Sequence, residues 1–156
     1  MQKRTLLTVL ITFLATSLLW IGLLVGLYWH FYGDEPPFHV AINHPAQVAL
    51  GSEFELVLAV EPSGREHTTL GSVDFYDSLM NGFKFVASNP PHTSTEKLLN
   101  FTTLWYQEEL PSDGPLKLRI RLRAARVGRH GGQVDICTPT EVCTTIYTTL
   151  TVTEAG

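Results

Sequence analysis

Two hydropathy patterns divide this chain. The first is a block. From Thr5 to Tyr32 no Asp, Glu, Lys or Arg interrupts a largely apolar run. Its densest part, Leu6–Leu27, would span about 33 Å as a helix, against a bilayer hydrocarbon core of about 30 Å. A helix on the surface of a globular core would carry a polar stripe, and this one has none. The second pattern is alternation. Phe54, Leu56, Leu58 and Val60 recur at every second position, with Glu53 and Glu55 between them. Leu116, Leu118, Ile120 and Leu122 alternate without exception with Lys117, Arg119, Arg121 and Arg123. A period of two is the signature of a strand with one buried face.

The same reading predicts a β-branched strand over Thr144–Thr153. Weaker strands are predicted at Phe38–Ile42, Gln47–Leu50, Ser72–Tyr76, Phe83–Ser88, Asn100–Tyr106 and Gln133–Cys137. Turn chemistry separates them: Leu50-Gly51-Ser52, Pro62-Ser63-Gly64, Asn81-Gly82, Asn89-Pro90-Pro91, Pro111–Pro115 and His130-Gly131-Gly132. About seven to nine short strands at this spacing make an antiparallel β-sandwich. No stretch after residue 33 has a helical period. The predicted organisation is all-β: an immunoglobulin-like sandwich (38–156) behind a cytoplasmic tip (1–4), a transmembrane helix (5–32) and a stiff proline linker (33–37).

Lys3 and Arg4 precede the apolar block, and no further Lys or Arg occurs until Arg65. The positive-inside rule then places the N-terminus in the cytoplasm and the sandwich outside, periplasmic or extracellular. Tyr28, Trp29, Phe31 and Tyr32 form the aromatic cluster expected at headgroup level. The block is too long for a signal-peptide core, and YWHFYGDEPPF holds no small-x-small cleavage site, so an uncleaved signal-anchor is expected. Gly22 and Gly26, with Ala15 and Leu19 on the same face, would let another membrane helix approach closely. Abundant glycine in membrane helices is the plainer explanation of that spacing.

Three stretches carry a resemblance: VALGSEFELVLAV, SVDFYDSLMNGFKFVASNPP and PLKLRIRLRAARVGRHGG. Through Gly51, Phe54, Tyr76, Asp77, Ala124 and Gly128 they resemble the strand grammar of bacterial immunoglobulin-like and cohesin-type modules. That resemblance implies a sandwich. It leaves binding, scaffolding and load-bearing roles open.

Charge changes the picture next. The formal net charge is −4, which excludes a globally basic nucleic-acid binder. Yet Lys117, Arg119, Arg121 and Arg123 fall in one row, with neighbours about 6–7 Å apart along the strand. Either the row is a solvated face neutralised by Glu53, Glu55 or Glu61 across the sheet, or it docks onto acidic protein surfaces or anionic lipid.

Cys137 and Cys143 flank a five-residue segment containing Pro139, between two predicted strands. A hairpin there brings two cysteines within disulfide range, and an extracytoplasmic domain would oxidise them. The plainest expectation is a staple contributing about 2 kcal/mol. Free thiols and a redox pair are the alternatives. VDICTPTEVCTTIYTTLTV is similar to the late hairpin of the periplasmic domain of transmembrane thiol:disulfide interchange reductases, which implies a thiol–disulfide relay. It lacks the proline-rich stretch that follows the second cysteine there. No Lys or Arg adjoins either cysteine to lower its pKa.

The six histidines show no zinc spacing with Cys or carboxylates, and neither methionine lies near Cys143 to complete a blue-copper set. Asp74, Asp77 and Asp113 lack an oxygen-rich calcium loop. No nucleophile motif, phosphate loop or catalytic carboxylate pair stands out, so no metal, cofactor or catalytic residue is expected. In FTTLWY, Trp105 and Tyr106 point to opposite faces; both buried against loops is the plainer expectation, and one in the core with the other anchoring a partner is the alternative. The reading that fits best is a non-catalytic accessory or scaffold subunit. Its helix would contact membrane helices and lipid, and its sandwich would join an integral membrane protein complex. Alternatives are the thiol–disulfide relay and a cell-wall or carbohydrate-binding module.

Overall fold

The computed structural model describes residues 13–14, 16–28, 36–64 and 69–155. The chain forms two units, one up to Glu35 and one from Pro36 onward. In the first unit, residues 13–14 and 16–28 are helical (α1). Their apolar side chains are exposed, Phe13 at 69% and Leu19 at 70%. The hydroxyls of Thr16 and Ser17 donate back to the Phe13 carbonyl at 2.9 and 2.8 Å, which satisfies both donors within the helix. A Cβ added at Gly22 or Gly26 would meet nothing within 4 Å. Among the described residues, no helix is long and apolar enough to cross a membrane. The predicted span 5–32, with Ala15, Trp29, Phe31 and Tyr32, extends beyond the described residues, as does the linker up to Glu35.

Among its described residues, the second unit is a two-sheet sandwich of ten strands. Sheet A runs in the order β1 (Phe38–Asn43), β3 (Glu53–Pro62), β8 (Leu116–Ala124), β5 (Phe83–Asn89). Sheet B runs β2 (Gln47–Ala49), β10 (Cys143–Thr153), β9 (Gly128–Cys137), β4 (Thr69–Tyr76), β7 (Phe101–Glu109), β6 (Ser94–Lys97). All pairings are antiparallel except β2 with β10.

Alternation decides which residues meet between the sheets. In sheet A, Leu56 and Leu58 of β3 pair with Ile120 and Leu118 of β8, Val60 and Leu122 share the same inner face, and none of the six is more than 1% exposed. Sheet B supplies Val73, Phe75, Leu104, Val134, Ile136 and Leu150 from the other side, each at most 2% exposed. Burying each such side chain stabilises the fold by about 1.5–3 kcal/mol. Gly51, at φ 80°, makes the turn from β2 into β3, a left-handed conformation that glycine adopts without steric cost. The turn is tied by Gly51 N–H to the Ala124 carbonyl at 2.9 Å and Ser52 N–H to the Ala49 carbonyl at 3.1 Å.

Three features depart from the sequence reading. His130-Gly131-Gly132, expected as a turn, lies inside β9. The reason is a short helix, α2 (Asp77–Met80), on the crossover from β4 to β5. A Cβ on Gly132 would come within 2.4 Å of Ser78 Oγ and 2.8 Å of the Leu79 backbone nitrogen, so the missing side chain makes room for α2. The third departure is β6, STEK, fully exposed and held to β7 in the register Ser94↔Trp105.

Candidate functional site

The outer face of sheet A carries the basic row. Lys117, Arg119, Arg121 and Arg123 are exposed at every second position of β8. The register sets Glu53 opposite Arg123 and Glu55 opposite Arg121, while Arg119 and Lys117 face Val57 and Ala59. Arg119 and Arg121 lean diagonally, while Arg123 bonds the residue opposite it. Arg119 Nη1 reaches Glu55 Oε2 at 3.1 Å, Arg121 Nε lies 3.7 Å from Glu53 Oε2, and Arg123 bonds the other oxygen of Glu53. The Arg123 hydrogen bond holds the Glu53 carboxyl below the usual carboxylate range, helped by Arg121. Three guanidinium groups therefore share two carboxylates. On the far side of Arg123 the register places another cation, Lys84 of β5. Among the described residues no carboxylate pairs with Lys84 or Lys117. Glu61 sits opposite His39 on β1 and does not join the network.

Beside Lys117 and Arg119 the face sinks. Small side chains on two neighbouring strands, Ala41 on β1 with Val57 and Ala59 on β3, floor a groove of about 340 Å³. This depression was not foreseen. Its signal was the replacement of the Glu53 and Glu55 rhythm by Val57 and Ala59 further along β3.

The outer face of sheet B is different. Cys137 and Cys143 lie directly opposite in the β9–β10 register and form a disulfide, with Cα atoms 4.0 Å apart. Their hairpin closes through Thr138 N–H to the Val142 carbonyl at 2.9 Å and Glu141 N–H to the Thr138 carbonyl at 3.0 Å. It lies down on β4, where a Cβ at Gly71 would come within 2.6 Å of the Thr138 and Pro139 backbone. Cys137 is buried and Cys143 exposed. The disulfide forms one wall of a pocket of about 260 Å³, with Trp105, Phe101 and Leu98 on other walls. Asp74 lines the same pocket, with Oδ2 3.9 Å from Cys137 Sγ. Its Oδ1 is buried without a hydrogen-bond partner. Burial raises the Asp74 carboxyl above its usual range, and the charges of Asp135 and Glu141 push the same way against the hydroxyl of Thr103. Sequence reasoning weighed Asp74 only as a calcium ligand. The structure separates it from Asp77, which pairs with Lys97.

Of Trp105 and Tyr106, Tyr106 is core, at 2% exposure. Burial pushes its hydroxyl up to about 12. Trp105 lines the pocket and donates from Nε1 to Glu96 Oε2 at 3.4 Å. Three of the described histidines hydrogen-bond through their rings: His44 with Thr148 Oγ1 at 2.6 Å, His92 with Ser88 Oγ at 3.1 Å and His130 with the Arg126 carbonyl at 2.8 Å. Among the described residues no group of three or more His, Cys, Asp or Glu is placed to hold a metal ion.

No protein-family model matches the chain, and no curated relative does. Among solved structures it is similar to the cohesin module from Clostridium perfringens ATCC13124 family 33 glycoside hydrolase, with a TM-score of 0.50. The match covers 78% of this chain and 100% of that one, at 11% sequence identity. The fold is a cohesin-like β-sandwich. At this identity the likeness speaks to the fold alone, so function must be argued from the two faces.

Proposed function

We propose that this chain is a non-catalytic, membrane-anchored accessory or scaffold subunit. Its cohesin-like sandwich docks an acidic protein surface of a membrane complex on the extracytoplasmic side. One observation carries the docking: among the described residues the four exposed basic side chains of β8 have only two carboxylates, Glu53 and Glu55, to pair with, so the row holds more positive charge than these neutralise. Surplus charge of one sign, held on rigid strands, steers a complementary surface and fixes its orientation. The anchor rests on the sequence, on the uncharged run Thr5–Tyr32 with Lys3 and Arg4 before it. The full-length chain in mild detergent is expected to co-purify with its complex at low salt. Replacing Arg119, Arg121 and Arg123 together by Glu is expected to release it. Co-purification that survives the replacement overturns the proposal.

A second reading, thiol–disulfide exchange, is favoured by the Asp74 carboxyl beside Cys137. The thiolate of a partner dithiol would attack the exposed Cys143 sulfur. The Cys137–Cys143 bond breaks, its electron pair goes to Cys137, and Asp74 supplies the proton. The partner's second thiol then displaces Cys143, which leaves the partner oxidised and this chain as two thiols. A disulfide potential above about −200 mV would support the relay, and one below about −300 mV would leave a staple.

A further inference from the structure

The two outer faces of the sandwich are unlike, and their differences match. Face A offers a shallow groove floored by Ala41, Val57 and Ala59, with Lys117 and Arg119 at its side. Face B offers an aromatic knob. Tyr147 of β10 is 74% exposed, among the most exposed large hydrophobics of the sandwich. Its hydroxyl donates to Gln133 Oε1 at 3.2 Å, which ties the exposed ring to its cross-strand neighbour. One strand step away, Asp135 of β9 stands opposite Thr145, so a carboxylate lies diagonally next to the knob. On face A the cation lies directly next to the groove, since Ala59 is opposite Lys117 and Val57 opposite Arg119. Knob beside anion on one face corresponds to groove beside cation on the other.

We propose that a second copy of this chain occupies the groove: Tyr147 of one copy seats over Ala41, Val57 and Ala59 of the next, and Asp135 meets Lys117 or Arg119. The proposal rests on the docking reading of β8 and names its partner. The contact is heterologous, because different patches meet. Each copy keeps a free groove at one end and a free knob at the other, so copies add in series rather than stopping at a pair. An aromatic anchor in a pocket, ringed by charge pairs, is the arrangement that concentrates binding energy in an interface.

The test uses the full-length chain in mild detergent, followed by sedimentation at low salt with rising concentration. Wild type is expected to form dimers and longer series that dissociate as salt shortens the screening length below about 10 Å. Tyr147→Ser is expected to weaken self-association at least tenfold, and its unchanged melting would show that the fold is intact. Lys117→Glu with Arg119→Glu, and separately Asp135→Lys, are each expected to abolish it. Mixing those two variants is expected to restore association, because each reversed face meets a complementary one. A wild type that stays monomeric up to about 0.1 mM, where even weak specific contacts are populated, overturns the proposal. Association untouched by Tyr147→Ser and by both reversals also overturns it. If the Glu replacements on β8 release the membrane complex while wild type never self-associates, the docking reading stands and self-pairing falls. If they change neither, both fall.

Discussion

The outer faces of the two sheets are built from the same alternation and end in opposite chemistry. On sheet A every second residue of β8 is a cation, and the face is a ladder whose rungs are set by the β3–β8 register. Charge there stays in water. On sheet B the outward positions of β4 and β7 are themselves covered: Ser72 is 5% and Thr103 2% exposed. The cover is Trp105 on one side and the Cys137–Cys143 hairpin on the other. The difference shows what a pocket on a β-sheet requires. A regular strand pair gives a flat charged surface. A half-buried carboxylate needs a hairpin folded over the sheet, and a glycine beneath it to let the loop approach.

The largest way to break this comparison is to remove the space that glycine provides. Gly132 points inward at α2, and its neighbour Gly131 points outward at Thr149. Gly132→Ala would press a methyl group into Ser78 and the Leu79 backbone, and is expected to cost about 1–3 kcal/mol. Gly131→Ala meets chiefly the Thr149 hydroxyl, at 2.7 Å, on a side chain free to rotate. It is expected to cost less. Chemical denaturation of the two variants measures the gap, and equal losses would mean that α2 does not depend on the space at Gly132.

These glycines also mark the limit of what the sequence reveals. β8 of sheet A was legible because each residue of Leu116–Arg123 obeys one rule, hydrophobic inward and charged outward. His130-Gly131-Gly132 obeys no such rule. Its glycines answer to α2, which joins the fold from a different part of the chain. β6 was missed for the complementary reason: its four side chains are all exposed, so only backbone pairing with β7 defines it. The disulfide was readable from two cysteines either side of a turn. The pocket beside it was not, because Asp74, Trp105 and Cys137 come from three strands brought together only by the sheet order.

A smaller effect sharpens the contrast between a covalent face and an electrostatic one. Replacing Cys137 and Cys143 together by Ser is expected to lower stability by about 2 kcal/mol, the loss of a short closed loop. Replacing Arg119 and Arg121 by Ser on face A removes only exposed ion pairs and is expected to leave the melting midpoint almost unchanged. Thermal melting of the two double variants under identical conditions compares them. A larger loss on face A would show that its charge ladder is structural and not reserved for a partner.

The subtlest prediction concerns two acids, one on each face, that respond to pH in opposite directions. Glu53 is held below its ordinary pKa of 4.5 by Arg123. The folded chain binds fewer protons there than the unfolded one. Its contribution is present above the unfolded value and is lost as pH falls through the folded one. Asp74 is raised above its ordinary 3.8, chiefly by burial. The folded chain then binds the extra proton, so stability is fully present below 3.8 and is lost as pH rises through the folded value. Asp74→Asn cannot ionise and escapes that loss. Its melting midpoint is expected to match wild type at pH 3 and to rise above it toward pH 7. Glu53→Gln is expected to do the reverse, falling below wild type as pH rises. Glu141→Gln, which removes one of the charges acting on Asp74, is expected to shift the wild-type curve part of the way toward that of Asp74→Asn. A difference between Asp74→Asn and wild type that stays constant across pH would mean that Asp74 is as well solvated as Glu53, and the contrast between the two faces would reduce to geometry alone.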